Sequence, residues 1–276
     1  MAKIAAIFRY PVKSMTGESL VGITISQRGV EADRSWAVLD LATGRVASAK
    51  KPVIWRALLD LTAVGPAAGS HGEIRIQLPD GSAITVGDQE SDERLSDYLG
   101  RRVRLISSAP ADAEIERARP DEVLEQSVQA DVAIDVSRLG RASPPGTFFD
   151  FAPVHLITTS SLAALQSAGA PPFEAARYRP NVLIDTGDQE GFVEDAWVGR
   201  ELHVGDVRLR ILIQTPRCAV PTLAHGGAGE RPEAISSVMQ RHRVELEGIG
   251  TLPCLGVYGQ VVAGGPVRVG QPILVQ

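Results

Sequence analysis

The sequence predicts a mainly β protein with few helices, and three observations carry that expectation. Short runs rich in Val, Ile and Leu with partial alternation recur along the chain, at 3–9, 20–26, 35–40, 57–64, 103–108, 182–186, 201–205 and 207–214. Pro79-Asp80-Gly81 separates EIRIQL from SAITV, a hairpin signal, and Ala42-Thr43-Gly44 between WAVLDL and RVASA is a weaker one. Helical signals are few. Ser91 to Leu99 has acidic residues in its first turn and ends at Gly100, LAALQSAG follows the hydroxyl run Thr158 to Ser161, and PEAISSVMQRHR covers 232–243. Residues 109–146 are acidic and punctuated by proline, so they read as a boundary or a long surface excursion. The strands at 201–205 and 207–214 meet at Gly205-Asp206, and the tail GVYGQVVAGGPVRVGQPILV reads as strand, turn, strand.

Composition narrows the function classes. The 276 residues suffice for one large or two small domains, and 44% hydrophobic with 22% charged residues excludes a disordered or collagen-like chain. A net charge of −5 argues against nucleic acid held by a bulk positive field. No apolar run approaches the length of a membrane span. Arg9 and Lys13 cut the first apolar stretch too early for a signal peptide, so a reducing, cytoplasmic setting is expected. Cys218 and Cys254 form no CxxC pair and cannot alone supply a structural zinc site. Arginine far outnumbers lysine, which stands only at 3, 13, 50 and 51; coding bias explains this, and it makes Lys13 in its loop more noticeable.

Phosphate-loop, dinucleotide-binding, HExxH and GxSxG motifs are absent, and the five histidines have no ligand spacing. His155 and His203 fall within strands and read as packed or surface residues. TPRCAVPT at 215–222 stands out, because Cys218 follows Arg217 at a strand end between two prolines. The prolines stiffen the loop, and the guanidinium favours the thiolate that acts as nucleophile or metal ligand. A small hydrophobe at a strand end is the bland alternative; Cys254 reads as core. Two segments could cradle an anion: the turn holding Lys13 and Ser14, and Thr158-Thr159 before a helix, where simple N-capping serves equally. Arg179 and Asn181 flank Pro180 and suit a planar polar ligand.

YPVKS near the N-terminus, DRSW at 33–36, RPNVLI at 179–184, Arg217-Cys218 followed by Pro221-Thr222, and a closing LGVY…VRVGQPI occur in order across nearly the whole chain. Together they resemble the MOSC family, the domain shared by molybdenum cofactor sulfurase C-termini and the mitochondrial amidoxime-reducing component. The resemblance implies a MOSC N-terminal β-barrel domain over 1–110 and a MOSC β-barrel domain over 111–276. It implies a molybdenum–molybdopterin cofactor (Moco) between them, with Cys218 as the thiolate on the metal. Arg217, Arg179 and Asn181 resemble the family's pterin contacts, while Lys13, Ser14 and Arg34 resemble its phosphate and pterin contacts from the first domain. Thr158 and Thr159 fall where the family's cofactor loop precedes a helix. Tyr258 matches a tyrosine placed near the metal and joins Cys218 as a catalytic candidate. The chain departs from the reductase pattern after Cys218, reading Ala219-Val220-Pro221-Thr222, so the substrate side is expected to differ.

The implied activity is a molybdenum-dependent oxidoreductase that reduces N-hydroxylated small molecules. Its electrons would come from a separate donor protein, a ferredoxin- or cytochrome-type reductase chain. No iron–sulfur cluster, pyridoxal phosphate domain, nucleic acid or membrane is expected. The alternative is a Moco or sulfur carrier working through a persulfide on Cys218, for which the same residues serve.

Overall fold

The computed structural model describes residues 1–67, 72–126, 130–166 and 172–276. His71 and the end of the LAALQSAG helix (167–169) lie outside the described residues. Strands dominate, as the sequence predicts, and are centred on a nine-stranded sheet. Its order is Leu274–Val275, Glu201–Val204, Val207–Pro216, Gly250–Ala263, Val154–Thr158, Val182–Asp185, Lys3–Arg9 and Glu18–Leu20, with Arg243–Leu246 added to the long Gly250–Ala263 strand. Among the described strands of this sheet, Val154–Thr158 and Val182–Asp185 are the pair that runs in parallel, and a parallel pair needs a crossover. The helix Thr159–Leu165 and the 3-10 turn Ala175–Tyr178 lie in that connection. The sheet curls until its ends approach. Ile4 N–H bonds the Gln271 carbonyl at 2.9 Å and Ile273 N–H bonds Ala2 at 2.9 Å, so loop bonds rather than a strand pair bring them together. Ile4, Ile7, Leu156, Ile184, Leu209 and Val257 fill the core beneath.

The first thirty residues are woven into the same body. Gly22–Ser26 pairs with both Gly29–Val30 and Gly265–Arg268. A second core, holding Met15, Val38, Trp55, Leu58, Ile76 and Leu95, lies under the strand pair Ala37–Asp40/Val103–Ile106 and the three strands Thr62–Val64, Arg75–Gln77 and Ala83–Thr85. The Pro79-Asp80-Gly81 hairpin forms as its chemistry dictates, with Gly81 at φ 84° and Gly81 N–H on the Leu78 carbonyl at 3.0 Å. The helices Ser91–Leu99, closed by Gly100 at φ 60°, and Glu233–Arg241 also form.

Two segments depart from the sequence reading. The run 20–26 is split into Glu18–Leu20 and Gly22–Ser26 at Val21, which is 88% exposed, because the two halves serve different sheets. The run 57–64 becomes a 3-10 turn, Arg56–Asp60, before the strand Thr62–Val64. Consecutive Leu58 and Leu59 are both fully buried but join different clusters, which strand alternation on one covered face does not allow. Residues 109–146 are an excursion with structure of its own. The hairpin Glu114–Ala118/Ile134–Arg138 carries the helix Pro120–Gln126 between its strands. No described helix is long and apolar enough to cross a membrane.

Candidate functional site

A cavity of about 540 Å³ opens where the large sheet meets the Lys13, Arg34 and Lys50 loops and the 114–138 hairpin. Cys218 reaches it because Val207–Pro216 ends there and the 3-10 turn Val220–Thr222, carrying Pro221, redirects the chain. The thiol is free and 9% exposed. Its neighbour Arg217 donates from Nη2 to the Tyr178 carbonyl at 2.8 Å and from Nη1 to His155 Nε2 at 3.4 Å. Its buried Nε has no partner. His155 Nδ1 lies 3.2 Å from the Arg179 carbonyl and acts there as donor, leaving Nε2 to accept from Arg217. Burial, then the Arg217 charge, hold the imidazole well below its usual range, so His155 is neutral.

The opposite face is built from strained backbone. Among the described residues four non-glycine positions have positive φ, and three of them are Ser14 at 66°, Arg34 at 46° and Arg179 at 56°. Each such residue costs about 1–3 kcal/mol, and such strain gathers at functional sites. Surrounding contacts hold it in place. Ser14 Oγ accepts from Ala49 N–H at 3.1 Å, Arg34 Nη2 donates to the Arg179 carbonyl at 3.1 Å, and Arg179 Nη1 donates to the Met15 carbonyl at 2.7 Å. Both guanidiniums lie over the Tyr10 ring, with centroid distances of 4.8 Å for Arg34 and 4.4 Å for Arg179. Asp33, paired with Arg34, is the buried counter-charge. Burial and Arg34 together push Arg179 down to about 10. Asn181 ties the arrangement together: its side chain donates to Asp33 at 2.9 Å and accepts from His155 N–H at 3.1 Å.

Lys13 and Lys50 share one carboxylate, with Asp150 at 2.6 Å and 2.9 Å respectively. Burial alone would raise the Asp150 carboxyl, but the two ammoniums outweigh it and hold it well below the usual carboxylate range. Tyr258 lies opposite His155 in the strand pairing, 5.4 Å from its ring and 5.6 Å from that of Phe151. Burial pushes its hydroxyl up to about 12, so it stays protonated through neutral pH.

Lys13, Ser14, Arg34, Arg179, Asn181, Arg217, Cys218 and Tyr258 all line the cavity, although they come from distant parts of the chain. Thr158 and Thr159 are not brought to it. Thr158 caps its helix at 3.1 Å from Ser161 N–H and donates to buried Glu194 at 2.6 Å, while Thr159 accepts from Thr186 N–H at 3.3 Å. Capping and a buried carboxylate engage the Thr158 hydroxyl, the bland reading of that motif, and a backbone N–H engages that of Thr159. Sequence reasoning passed over Lys50, Asp150 and Arg117 and read His155 as a packed or surface residue. The scarcity of lysine that marks Lys13 marks Lys50 equally; Asp150 and Arg117 carried no local signal.

Among the described residues, the wall carries ten Lys and Arg side chains against three Asp, in a chain of net charge −5. No described group of three or more His, Cys, Asp or Glu is placed to hold a metal ion. The cavity therefore suits a polyanionic ligand, with one thiol available to a soft metal that brings its remaining ligands along.

Residues 1–113 match the family described as the MOSC N-terminal beta barrel domain, and residues 144–274 match the MOSC domain. The chain belongs to the MOSC family. Among its MOSC relatives, mitochondrial amidoxime-reducing component 1 of Danio rerio is 24% identical over 294 residues, spanning 98% of this chain and 83% of that protein. Mitochondrial amidoxime reducing component 2 of Rattus norvegicus is 30% identical over 129 residues, a match covering 45% of this chain and 37% of that protein. The YUAD protein of Bacillus subtilis, a solved structure, aligns over 99% of this chain and 94% of its own at 11% identity and a TM-score of 0.46. Residues 114–143, which supply the hairpin on the cavity wall, lie between the two matched domains.

Proposed function

We propose that this MOSC protein binds a molybdenum–molybdopterin cofactor in the Cys218 cavity and reduces N-hydroxylated small molecules. The observation that carries the reading is a free thiol set in a buried, strongly cationic cavity. The residues fit the group. A pterin phosphate is anionic, Arg217 keeps an unpartnered Nε, and Cys218 offers one soft sulfur. Cys218 would be the protein's ligand to the metal, Arg34, Arg179, Asn181 and Arg217 would face the pterin, and Lys13 with Ser14 would face the phosphate. Asn181, with its amide largely engaged by Asp33 and His155, works chiefly by positioning. When bound, the cofactor supplies two-electron oxygen-atom removal from the substrate. Tyr258, protonated throughout the neutral range, donates a proton to the oxygen that leaves. Neutral His155 fixes the Arg217 guanidinium and the Arg179 carbonyl in place. Electrons arrive from a separate donor protein, and two free cysteines suit the reducing, cytoplasmic compartment where such donors work.

The names of the amidoxime-reducing relatives support the choice of substrate class. The test is elemental and pterin analysis of protein from a cofactor-competent host beside Cys218→Ala. Near-stoichiometric molybdenum in the wild type, its loss in the variant, and at least a hundredfold loss of N-hydroxylated substrate turnover are expected. Full turnover by the variant would overturn the assignment. A labile sulfur on Cys218 without metal would instead support the sulfur-carrier function.

A further inference from the structure

The hairpin between the two matched domains is seated on the thiol loop. Ala118 N–H bonds the Lys50 carbonyl at 2.8 Å, and Lys51 Nζ pairs with Glu116 at 2.9 Å. Ala118 and Val123 pack with Val132 and with Ala219, the residue after Cys218. The hairpin places several arginines on the cavity wall, and most have partners nearby. Arg119 pairs with Asp135 at 3.4 Å, and Arg138 pairs with Asp112 at 2.9 Å.

Arg117 differs. It lines the cavity, takes part in no ion pair among the described residues, and its Nε is shielded from solvent without a hydrogen-bond partner. Lys50 lies within its electrostatic reach, where burial and the Arg117 charge push the ammonium down to about 8. Asp150, the carboxylate that pairs with Lys50, is already divided between Lys13 and Lys50. Positive charge in excess of its protein counter-charge is stabilised by an incoming anion. A guanidinium binds an oxyanion through two parallel hydrogen bonds.

We propose that Arg117, with Lys50, is the specificity site of this protein and binds a carboxylate or phosphate group carried by the substrate. The inference rests on the reductase reading above and adds the substrate class, N-hydroxylated compounds bearing an oxyanion. The cofactor-facing cations come from segments inside the two matched domains, whereas Arg117 comes from the segment between them. Arg117 thus belongs to the substrate side, the side on which the residues after Cys218 already depart from the reductase pattern.

The test is calorimetric binding of benzamidoxime, its 4-carboxy derivative and its 4-phosphono derivative to protein from a cofactor-competent host. Molybdenum content is read in parallel. The wild type is expected to bind at least one anionic derivative tenfold or more tightly than benzamidoxime, and the better of the two identifies the oxyanion. In Arg117→Gln the ratio falls toward one, and in Arg117→Lys it is partly retained, both with molybdenum content unchanged. Equal affinities in the wild type, a ratio that survives in Arg117→Gln, or loss of molybdenum in that variant each overturn the proposal. The last outcome would assign Arg117 to the cofactor. Turnover is scored separately. An anion preference without reduction of any of the three compounds sinks the reductase reading alone, and reduction without an anion preference sinks this proposal alone.

Discussion

His242 is held on both ring nitrogens, by the Cys254 carbonyl at 2.7 Å and Asp195 at 2.7 Å, and stacks on Phe192 at 3.7 Å. Both partners accept, so the ring is best satisfied as the doubly protonated cation. Burial opposes that charge, but the bonds to Asp195 and Cys254, with Asp195 and Glu194 facing the ring, outweigh it and raise the imidazole. A raised folded value stabilises the protein fully below the unfolded value near ~6.5 and loses that stabilisation as pH rises through the folded one. The wild type should therefore exceed His242→Gln by on the order of 1–2 kcal/mol at pH 5.5 to 6. The margin should shrink steadily above about pH 6.5. Urea midpoints of both proteins across that range check it, and a margin that grows with pH would refute the assignment. At this scale the sequence was legible where chemistry is local. Arg217-Cys218 between prolines, and the turn at Lys13-Ser14, could be singled out because neighbours in sequence define them. His242 could not, because Asp195 and Phe192 approach only after folding.

The long strand Gly250–Ala263 runs from Cys254 to Tyr258 across Gly256, which sits at φ 79°. A Cβ there would lie 2.3 Å from the Leu156 carbonyl oxygen and 2.9 Å from His155 Nε2. Backbone cannot yield as a side-chain tip does, and the conformation is itself unfavourable for alanine. Gly256→Ala should cost about 2–4 kcal/mol, measurable as a lower urea midpoint. It should also disturb the Arg217–His155 contact, so turnover should fall more than stability alone accounts for. A variant with wild-type midpoint and turnover would contradict this close approach. Elements with local punctuation were readable: Pro79-Asp80-Gly81 defines a hairpin, and Gly100 stops a helix. The 57–64 run was misread as a strand because the pattern of Leu58 and Leu59 answers to two separate clusters, which only tertiary structure reveals. The 114–138 hairpin was read as part of a boundary or surface excursion because charged residues are as numerous there as apolar ones such as Ile115 and Val132. The alternation of Ile134 and Val136 with polar residues in AIDVSR was the available signal.

Across the whole molecule, the strand Lys3–Arg9 pairs with Val182–Asp185, and Gly22–Ser26 pairs with Gly265–Arg268. A chain cut at 110 would leave the large sheet without its Lys3–Arg9 and Glu18–Leu20 strands, exposing Ile184 and neighbouring core residues. Residues 111–276 expressed alone should be aggregated or unfolded by circular dichroism and gel filtration, and co-expression with 1–110 should restore a folded complex. A cooperative, monomeric 111–276 fragment would overturn that expectation. The cavity depends on the same weave, because Lys13 and Arg34 reach Asp150 and Arg179 only when both ends of the chain are in place.

The pairing of Lys3–Arg9 with Val182–Asp185 also sets a clock on biosynthesis. The first strand leaves the ribosome with its apolar face ready, but its partner is translated some 180 positions later. At ordinary elongation rates that delay is about ten seconds to half a minute. During it, Ile4 and Ile7 have only the early partners Leu20, Ile23 and Ile25 and lack most of their core neighbours, so early shielding by a chaperone should govern the yield of the nascent protein more strongly than its final stability does.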